Sequence, residues 1–324
     1  MTAQACCGIL KQRYSGAGER EDLERKRFLG HVATLVCVTT WGFAFVPIVV
    51  LLRALTPAEL LFYRFGLAVL ALYIIYPKSM GKTSLRQELL FAGAGLTGVT
   101  FFFLLQDFAL LITAASNVGV IAALSPLFTA LLSWWLLGEG RPKSTYVLGA
   151  AMALVGIGFI SFAGSRLELN PMGDLLAIVM AFCWACYSIL TRKIAAFGYH
   201  VIQTTRRVFL YGLVFLFFAI LLLGLEFQLG LERFLEPVNL VSMLFLGFGP
   251  SALCFVFWNF GVNQLGTIKT AVYIYLIPLV AVLVSVLFLD QVITWMKALG
   301  IILALGGLVV SKRKPRERET ALAE

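Results

Sequence analysis

TYVLGAAMALVGIGFISFAG (residues 145–164) and ITWMKALGIILALGGLVVS (residues 293–311) decide how this chain folds. The first carries no charged side chain along its whole length, and about 20 residues at 1.5 Å each span the ~30 Å hydrocarbon core of a bilayer. A segment this apolar can satisfy its backbone in lipid only by closing its hydrogen bonds internally, as a helix. Superimposing Leu148-Gly149 on Leu299-Gly300 aligns Gly149, Ala153 and Gly156 with Gly300, Ala304 and Gly307. Each set is spaced i, i+4, i+7 and lies on one helical face. Small stripes of this kind let membrane helices approach closely, so these two helices read as packing elements outside any pathway.

Outward from that pair, apolar runs bounded by Pro, Gly and charge predict ten helices. They lie at 29–52, 57–77, 88–112, 117–138 and 145–164, then 171–191, 200–224, 240–264, 268–289 and 293–311. Arg206 and Arg207 interrupt the seventh, while Pro57 and Pro171 suit first-turn positions. Over 324 residues the chain is 60% hydrophobic and 13% charged, with a mean hydropathy of +0.91. Soluble domains carry about 25% charged residues, so this composition excludes that class. The expectation is an all-α integral membrane protein of ten transmembrane helices.

The net charge of +9 does not point to nucleic acid, because 11 of the 26 Lys and Arg sit in two tails. With the N-terminus inside, 19 of the 26 fall in cytoplasmic segments and four, Arg53, Arg166, Arg233 and Lys297, on the other side. Arg64, Arg206 and Arg207 lie within spans. That bias places both termini in the cytoplasm of a multi-pass protein of the cytoplasmic membrane. The expected division is a disordered tail at 1–28, a first repeat at 29–164, a second at 165–311 and a basic tail at 312–324. Six scattered cysteines imply no disulfide framework, and Cys183-x-x-Cys186 lies mid-helix as small packing residues. No signal peptide is expected.

The two halves repeat. A slide of 143 puts Trp41 on Trp184 and Arg64 on Arg207, and a slide of 152 puts Phe108 on Phe260, Pro126 on Pro278 and Leu131 on Leu283. Five is odd, so the second copy enters the membrane from the opposite side, making two inverted five-helix repeats. Such halves can exchange conformations and open a central site to either side in turn.

Thr40-Trp41-Gly42, Tyr63-Arg64-Phe65, Thr113-Ala114-Ala115, Ser125-Pro126 and Leu137-Gly138-Glu139 occur in order in the first half. The second half has Gly173-Asp174-Leu175-Leu176, Trp184-Ala185, Arg192-Lys193, Lys269-Thr270-Ala271 and Ile277-Pro278. In that order, each half resembles an EamA-like domain of the drug/metabolite transporter superfamily, over roughly residues 30–311. The resemblance implies ten helices, cytoplasmic termini and movement of small metabolites, amino acids among them, by alternating access. One departure is that Gln291, beside Asp290, stands where the first half has Glu139.

The candidate substrate-binding residues are Trp41, Arg64, Trp184, Tyr187, Arg207, Asn259 and Tyr273. Arginine within a span costs at least ~2.5 kcal/mol and turns toward protein or water, which suits an anionic substrate group or a structural partner. Trp41 and Trp184 sit mid-span, away from an aromatic belt, as a wall for an apolar substrate or as packing. Tyr187 lies one turn from Trp184, Tyr273 and Tyr275 precede Pro278, and Gln106, Asn259 and Asn263 are donors and acceptors at membrane depth. Asp107 reads as a hydrated lip residue, with proton coupling the alternative. Glu139 and Asp174 fit helix-end roles. His31 and His200 lie at helix ends, and no HExxH, P-loop or GxSxG occurs, which argues against an enzyme and against any metal or cofactor.

The reading is a secondary transporter for a small metabolite, an amino acid or related compound, acting by alternating access as a permease for efflux. A non-transporting scaffold or sensor, and a channel, are the alternatives. The expected partners are the substrate and the lipid bilayer.

Overall fold

The computed structural model describes residues 3–113, 115–162, 170–289 and 294–312. Ten helices follow one another: α1 (Glu21–Leu51), α2 (Pro57–Ile75), α3 (Leu85–Ile112), α4 (Asn117–Leu137), α5 (Ser144–Phe162), α6 (Pro171–Ala195), α7 (Val201–Leu223), α8 (Pro237–Leu265), α9 (Thr267–Val284) and α10 (Trp295–Lys312). Nine of them are long and apolar enough, among the described residues, to cross a membrane, and α10 is a shorter apolar helix. The chain is an all-helical, multi-pass membrane protein. Asp290, Gln291, Ala114 and the basic tail beyond Lys312 lie outside the described residues.

Local chemistry sets the helix ends. Thr56 and Glu59 form a reciprocal capping box at the start of α2, the Thr56 hydroxyl accepting from the Glu59 N–H and the Glu59 carboxylate from the Thr56 N–H (2.8 Å). Ser84 with Gln87 and His200 with Gln203 do the same for α3 and α7, and Asn170 caps α6. Gly138 (φ 67°) and Gly224 (φ 59°) end α4 and α7 in the left-handed conformation that glycine adopts without strain.

Three boundaries depart from expectation. The tail expected to be disordered is helical from Ala3, continuous with α1. No proline precedes Pro47, so a helix nucleated by the first span propagates backward at little cost. Helix α6 continues through Arg192 and Lys193, whose charges in its last turn complement the helix dipole. Helix α8 starts at Pro237, a residue pre-organised for the first helical position. Helix α7 runs unbroken past Arg206 and Arg207, whose side chains find partners beyond its surface.

The breaks inside helices are related by the repeat. Helix α3 widens into a π-helical turn at Leu96–Phe101 and α8 at Gly247–Leu253, the segment that a slide of 152 predicts. Helix α4 breaks at Ala123 and Leu124 before Pro126, and α9 tightens to a 3₁₀ turn at Val272–Leu276 before Pro278. In α1 the helix loosens at Ala44, where the Pro47 ring displaces the carbonyl of Phe43.

Packing crosses between the halves. Helix α1 lies on α8 and α9, and its counterpart α6 lies on α3 and α4; α2 packs on the widened turn of α8, and α7 on that of α3. Helices α2 and α7 meet each other, as do α5 and α10. Each half therefore completes the other around a pseudo-two-fold axis. The α5–α10 contact is backbone on backbone: a Cβ on Gly156 would lie 2.6 Å from the Ala304 nitrogen and the Gly300 oxygen, and one on Gly307 2.4 Å from the Gly149 oxygen. The pair otherwise packs mainly on α4 and α9. Large apolar side chains such as Ile74 and Leu222 are exposed on the perimeter, as lipid contact requires.

The two ends of the bundle differ in charge. Loops 76–84, 138–143 and 196–200 and the N-terminus form a basic end, and loops 52–56 and 224–236 belong to the opposite end.

Candidate functional site

Trp41 and Trp184, which the repeat relates, meet on the axis. Their ring centroids are 5.3 Å apart and nearly perpendicular, the edge-to-face arrangement that aromatic quadrupoles favour. Trp258 completes a triangle at 5.4 Å from each. Sequence reasoning passed over Trp258 because its repeat partner is Gln106; its mid-span position was the same signal that marked the other two. Trp41 donates from Nε1 to the Pro250 carbonyl in the widened turn of α8 (2.9 Å). The Nε1 atoms of Trp184 and Trp258 are buried and have no hydrogen-bond partner among the described residues. An unsatisfied buried donor costs about 1–3 kcal/mol, which makes these two indole N–H groups candidates to donate to a ligand.

Tyr187 and Asn259 extend this group toward the basic end. The Tyr187 hydroxyl donates to Asn259 Oδ1 (2.8 Å), and Asn259 Nδ2 donates to Thr205 Oγ1 (3.0 Å), linking α6, α8 and α7. The Tyr187 ring occupies the space that a side chain at residue 98 would fill: a Cβ on Gly98 would fall 2.1 Å from it. The π-helical turn of α3 is thus built around this tyrosine. A cleft lined by Thr191, Tyr199, Thr204, Asn259 and Asn263 leads in from the basic end as far as Asn259.

Arg64 lies on the far side of the tryptophans, about 10 Å along α2 from its start. It is 3% exposed, donates from Nε to Ser251 Oγ (2.5 Å) and lays its guanidinium 4.5 Å from the centre of the Phe103 ring. Ser251 follows Pro250, so one widened turn holds both Trp41 and Arg64. Asp107, one turn beyond Phe103 on α3, is 2% exposed rather than hydrated at a lip. Its side chain accepts from Gln106 Nε2 (3.3 Å), and it faces Arg64 electrostatically without making an ion pair with it. The two groups share one buried region and are coupled electrostatically, without an ion pair between them.

The inverted mates of these charges behave differently. The slide that relates Phe108 to Phe260 puts Asp107 on Asn259, so the second half offers Arg207 no central carboxylate. Arg207 instead turns to Glu88 at the basic end (2.7 and 3.1 Å), which also accepts from Tyr211 (2.6 Å) and from Thr83. The structure does not bring Arg207 to the cluster. Nor does the Tyr273 hydroxyl point there: it bonds His31 Nδ1 (2.8 Å) between α9 and α1. Asp174, in the first turn of α6, accepts from Thr113 and Asn117 and so ties α6 to α3 and α4. Glu139 accepts weakly from Thr267 at the end of α4 (3.4 Å).

Opposite Asn259, the axis is closed by a second polar network. The Glu59 carboxylate, buried in the first turn of α2, accepts from the Gln228 N–H (2.7 Å) and from Arg233 (2.5 Å), pinning loop 224–236 over Arg64. Among the described residues a cleft reaches in from the basic end, and this network ties loop 224–236 to α2 at the other.

Comparison with known proteins agrees with this architecture. A model of the EamA-like transporter family matches residues 28–162 and again 171–312, one match for each half. An uncharacterized transporter of Archaeoglobus fulgidus is 28% identical over 89% of this chain and 98% of its own length. A probable terminal-alkyne amino-acid exporter of Streptantibioticus cattleyicolor is 27% identical over 89% and 96%, and a probable amino-acid metabolite efflux pump of Escherichia coli is 27% identical over 86% and 93%. A solved crystal structure, 21% identical, shares the fold with a TM-score of 0.68 over 89% of this chain and 98% of that one. With both halves matched and ten helices arranged as two inverted repeats, this chain belongs to the EamA-like transporter family.

Proposed function

We propose that the protein is a secondary transporter that exports a small amino acid or related zwitterionic metabolite across the cytoplasmic membrane by alternating access. The observation that carries this reading is the buried pair Arg64 and Asp107, opposite in charge and not in contact, beside two indole N–H groups without acceptors. A carboxylate on the Arg64 guanidinium and an ammonium on Asp107 would satisfy both, because an unpaired charge in a low-dielectric interior is costly. The substrate side chain would then lie against Phe103 and the tryptophans. The relatives named as an amino-acid exporter and an amino-acid metabolite efflux pump support the substrate class and direction. The family match and the relatives named as transporters and efflux pumps support a carrier rather than an enzyme.

The cleft at the basic end reaches Asn259, and the Glu59–Arg233 network ties loop 224–236 to α2 at the opposite end. Alternation consists of breaking that network and closing the cleft, a change the inverted repeat makes available by exchanging the conformations of its halves. The test is flux in proteoliposomes across a panel of amino acids and their desamino and decarboxy analogues. Saturable transport with trans-stimulation is expected, strongest for zwitterions. Absence of flux for the entire panel with folded protein would sink the proposal.

The Lys and Arg bias assigns the basic end, with both termini, to the cytoplasm. In a background lacking the native cysteines, Arg53→Cys and Leu229→Cys should react with an impermeant thiol reagent applied to intact cells. Lys82→Cys and Lys143→Cys should react only after permeabilisation. The reverse pattern would overturn the orientation and with it the direction of export.

A further inference from the structure

Away from the axis, a pocket of about 130 Å³ opens at the basic end between the end of α2, loop 76–84 and the start of α7. That is several-fold the space one water needs. Tyr73, Ser79, Thr83, Gln203, Arg206 and Arg207 line it, and none of its lining residues is acidic. Arg206 is 4% exposed and is the buried charge of the site. It donates to the carbonyls of Tyr76 (2.7 Å) and Lys78 (2.8 Å) and lies 3.9 Å over the Tyr73 ring. Two of its five N–H donors meet carbonyls, and neither those carbonyls nor the ring face carries net negative charge. The nearby acid, Glu88, is already shared by Arg207, Tyr211 and Thr83. The pocket therefore keeps a net positive charge, and Lys78, Lys82 and Arg86 on the same stretch of chain add to it.

We propose that this pocket binds the phosphate of an anionic phospholipid headgroup. Phosphate supplies the counter-charge that Arg206 lacks and accepts from the Ser79 hydroxyl at the mouth. The lipid source is favoured over soluble phosphate by what flanks the pocket. Ile74 and Ile75 on α2 and Val214 on α7 are exposed beside it, an apolar surface along which acyl chains would lie. Basic pockets between transmembrane helices at the cytoplasmic side are where anionic headgroups collect. Bound there, the headgroup would clip loop 76–84 of the first half to α7 of the second, next to the Glu88–Arg207 pair. The assignment needs the membrane spans but not the identity of the transported substrate.

The test compares the purified protein in bilayers of phosphatidylcholine with and without phosphatidylglycerol, reading thermal stability and the lipid retained in native mass spectrometry. Phosphatidylglycerol should raise the unfolding temperature of the wild type and be retained preferentially. Arg206→Gln should weaken that retention by roughly 10- to 100-fold, the loss of one charge-assisted hydrogen bond. Ser79→Glu leaves the Arg206 bonds intact, so the test survives if Arg206→Gln fails to fold; the added negative charge should abolish retention. Equal retention by wild type and both variants, or no preference over phosphatidylcholine, overturns the proposal. Equal stabilisation by inorganic phosphate alone overturns the lipid assignment and makes the site one for soluble phosphates. None of these readouts depends on transport, so a failed flux assay leaves the result interpretable.

Discussion

Replacing Arg64 by Gln should lower the apparent affinity for a carboxylate-bearing substrate by one to two decades while leaving the protein inserted and folded. The guanidinium is buried, and its hydrogen bond to the protein runs through Nε to Ser251, so its terminal nitrogens are the group offered to the axis. A charge-assisted hydrogen bond contributes roughly 1.5–3 kcal/mol, which is about 10- to 100-fold in a dissociation constant. Arg64→Lys should recover part of this, since an ammonium restores charge but not the planar fork. Ser251→Ala removes the positioning bond alone and should cost less than Arg64→Gln. Apparent affinity and thermal stability measured on the same purified variants separate the readings. If Arg64→Gln reduces stability and leaves affinity unchanged, the arginine is structural and the indoles of Trp184 and Trp258 become the better candidates.

The second large effect concerns stability. Gly156→Leu should prevent α5 and α10 from packing and leave little monodisperse protein, and Gly156→Ala should already lower the unfolding temperature. A Cβ there meets the backbone of Ala304 and Gly300 at 2.6 Å, and backbone cannot rotate away as a side chain does. Overpacking of this kind costs about 1–3 kcal/mol for one methyl and more for a larger group. Gly158 lies on the same helix with nothing near its Cβ position, so Gly158→Ala is the control and should be neutral or slightly stabilising. Helices α5 and α10 pack mainly on each other, α4 and α9, away from the helices that carry Arg64 and the tryptophans, so the Gly156→Ala protein that does fold should retain its substrate affinity. Equal stability of the two alanine variants would mean that the helices do not approach this closely.

The membrane spans, their number and the repeat were legible in the residues because they depend on local properties. Twenty apolar residues demand a helix in lipid, and an odd number of spans per repeat demands inversion. The small stripes on α5 and α10 were legible for the same reason: periodicity along one helix sets which residues share a face. Trp41 and Trp184 were singled out because they sit mid-span in both copies, and their rings do meet.

Which charges reach the centre was decided only by the tertiary structure. Arg64 and Arg207 are equivalent in the sequence, yet Arg64 faces Asp107 while Arg207 turns to Glu88, because the position matching Asp107 is a neutral Asn259. That choice depends on two carboxylates brought close by packing alone, Asp107 lying 43 positions from Arg64 and Glu88 119 from Arg207. The role of Gly98 was equally invisible, since it answers to the ring of Tyr187 on another helix. Burial of Asp107 came from helices α2 and α6 closing over the end of α3, not from its own neighbours in the chain. Hydrophobic length and periodicity act within a segment and can be read from it, whereas the partner of a buried charge is set by long-range contacts among helices, which one-dimensional spacing does not encode.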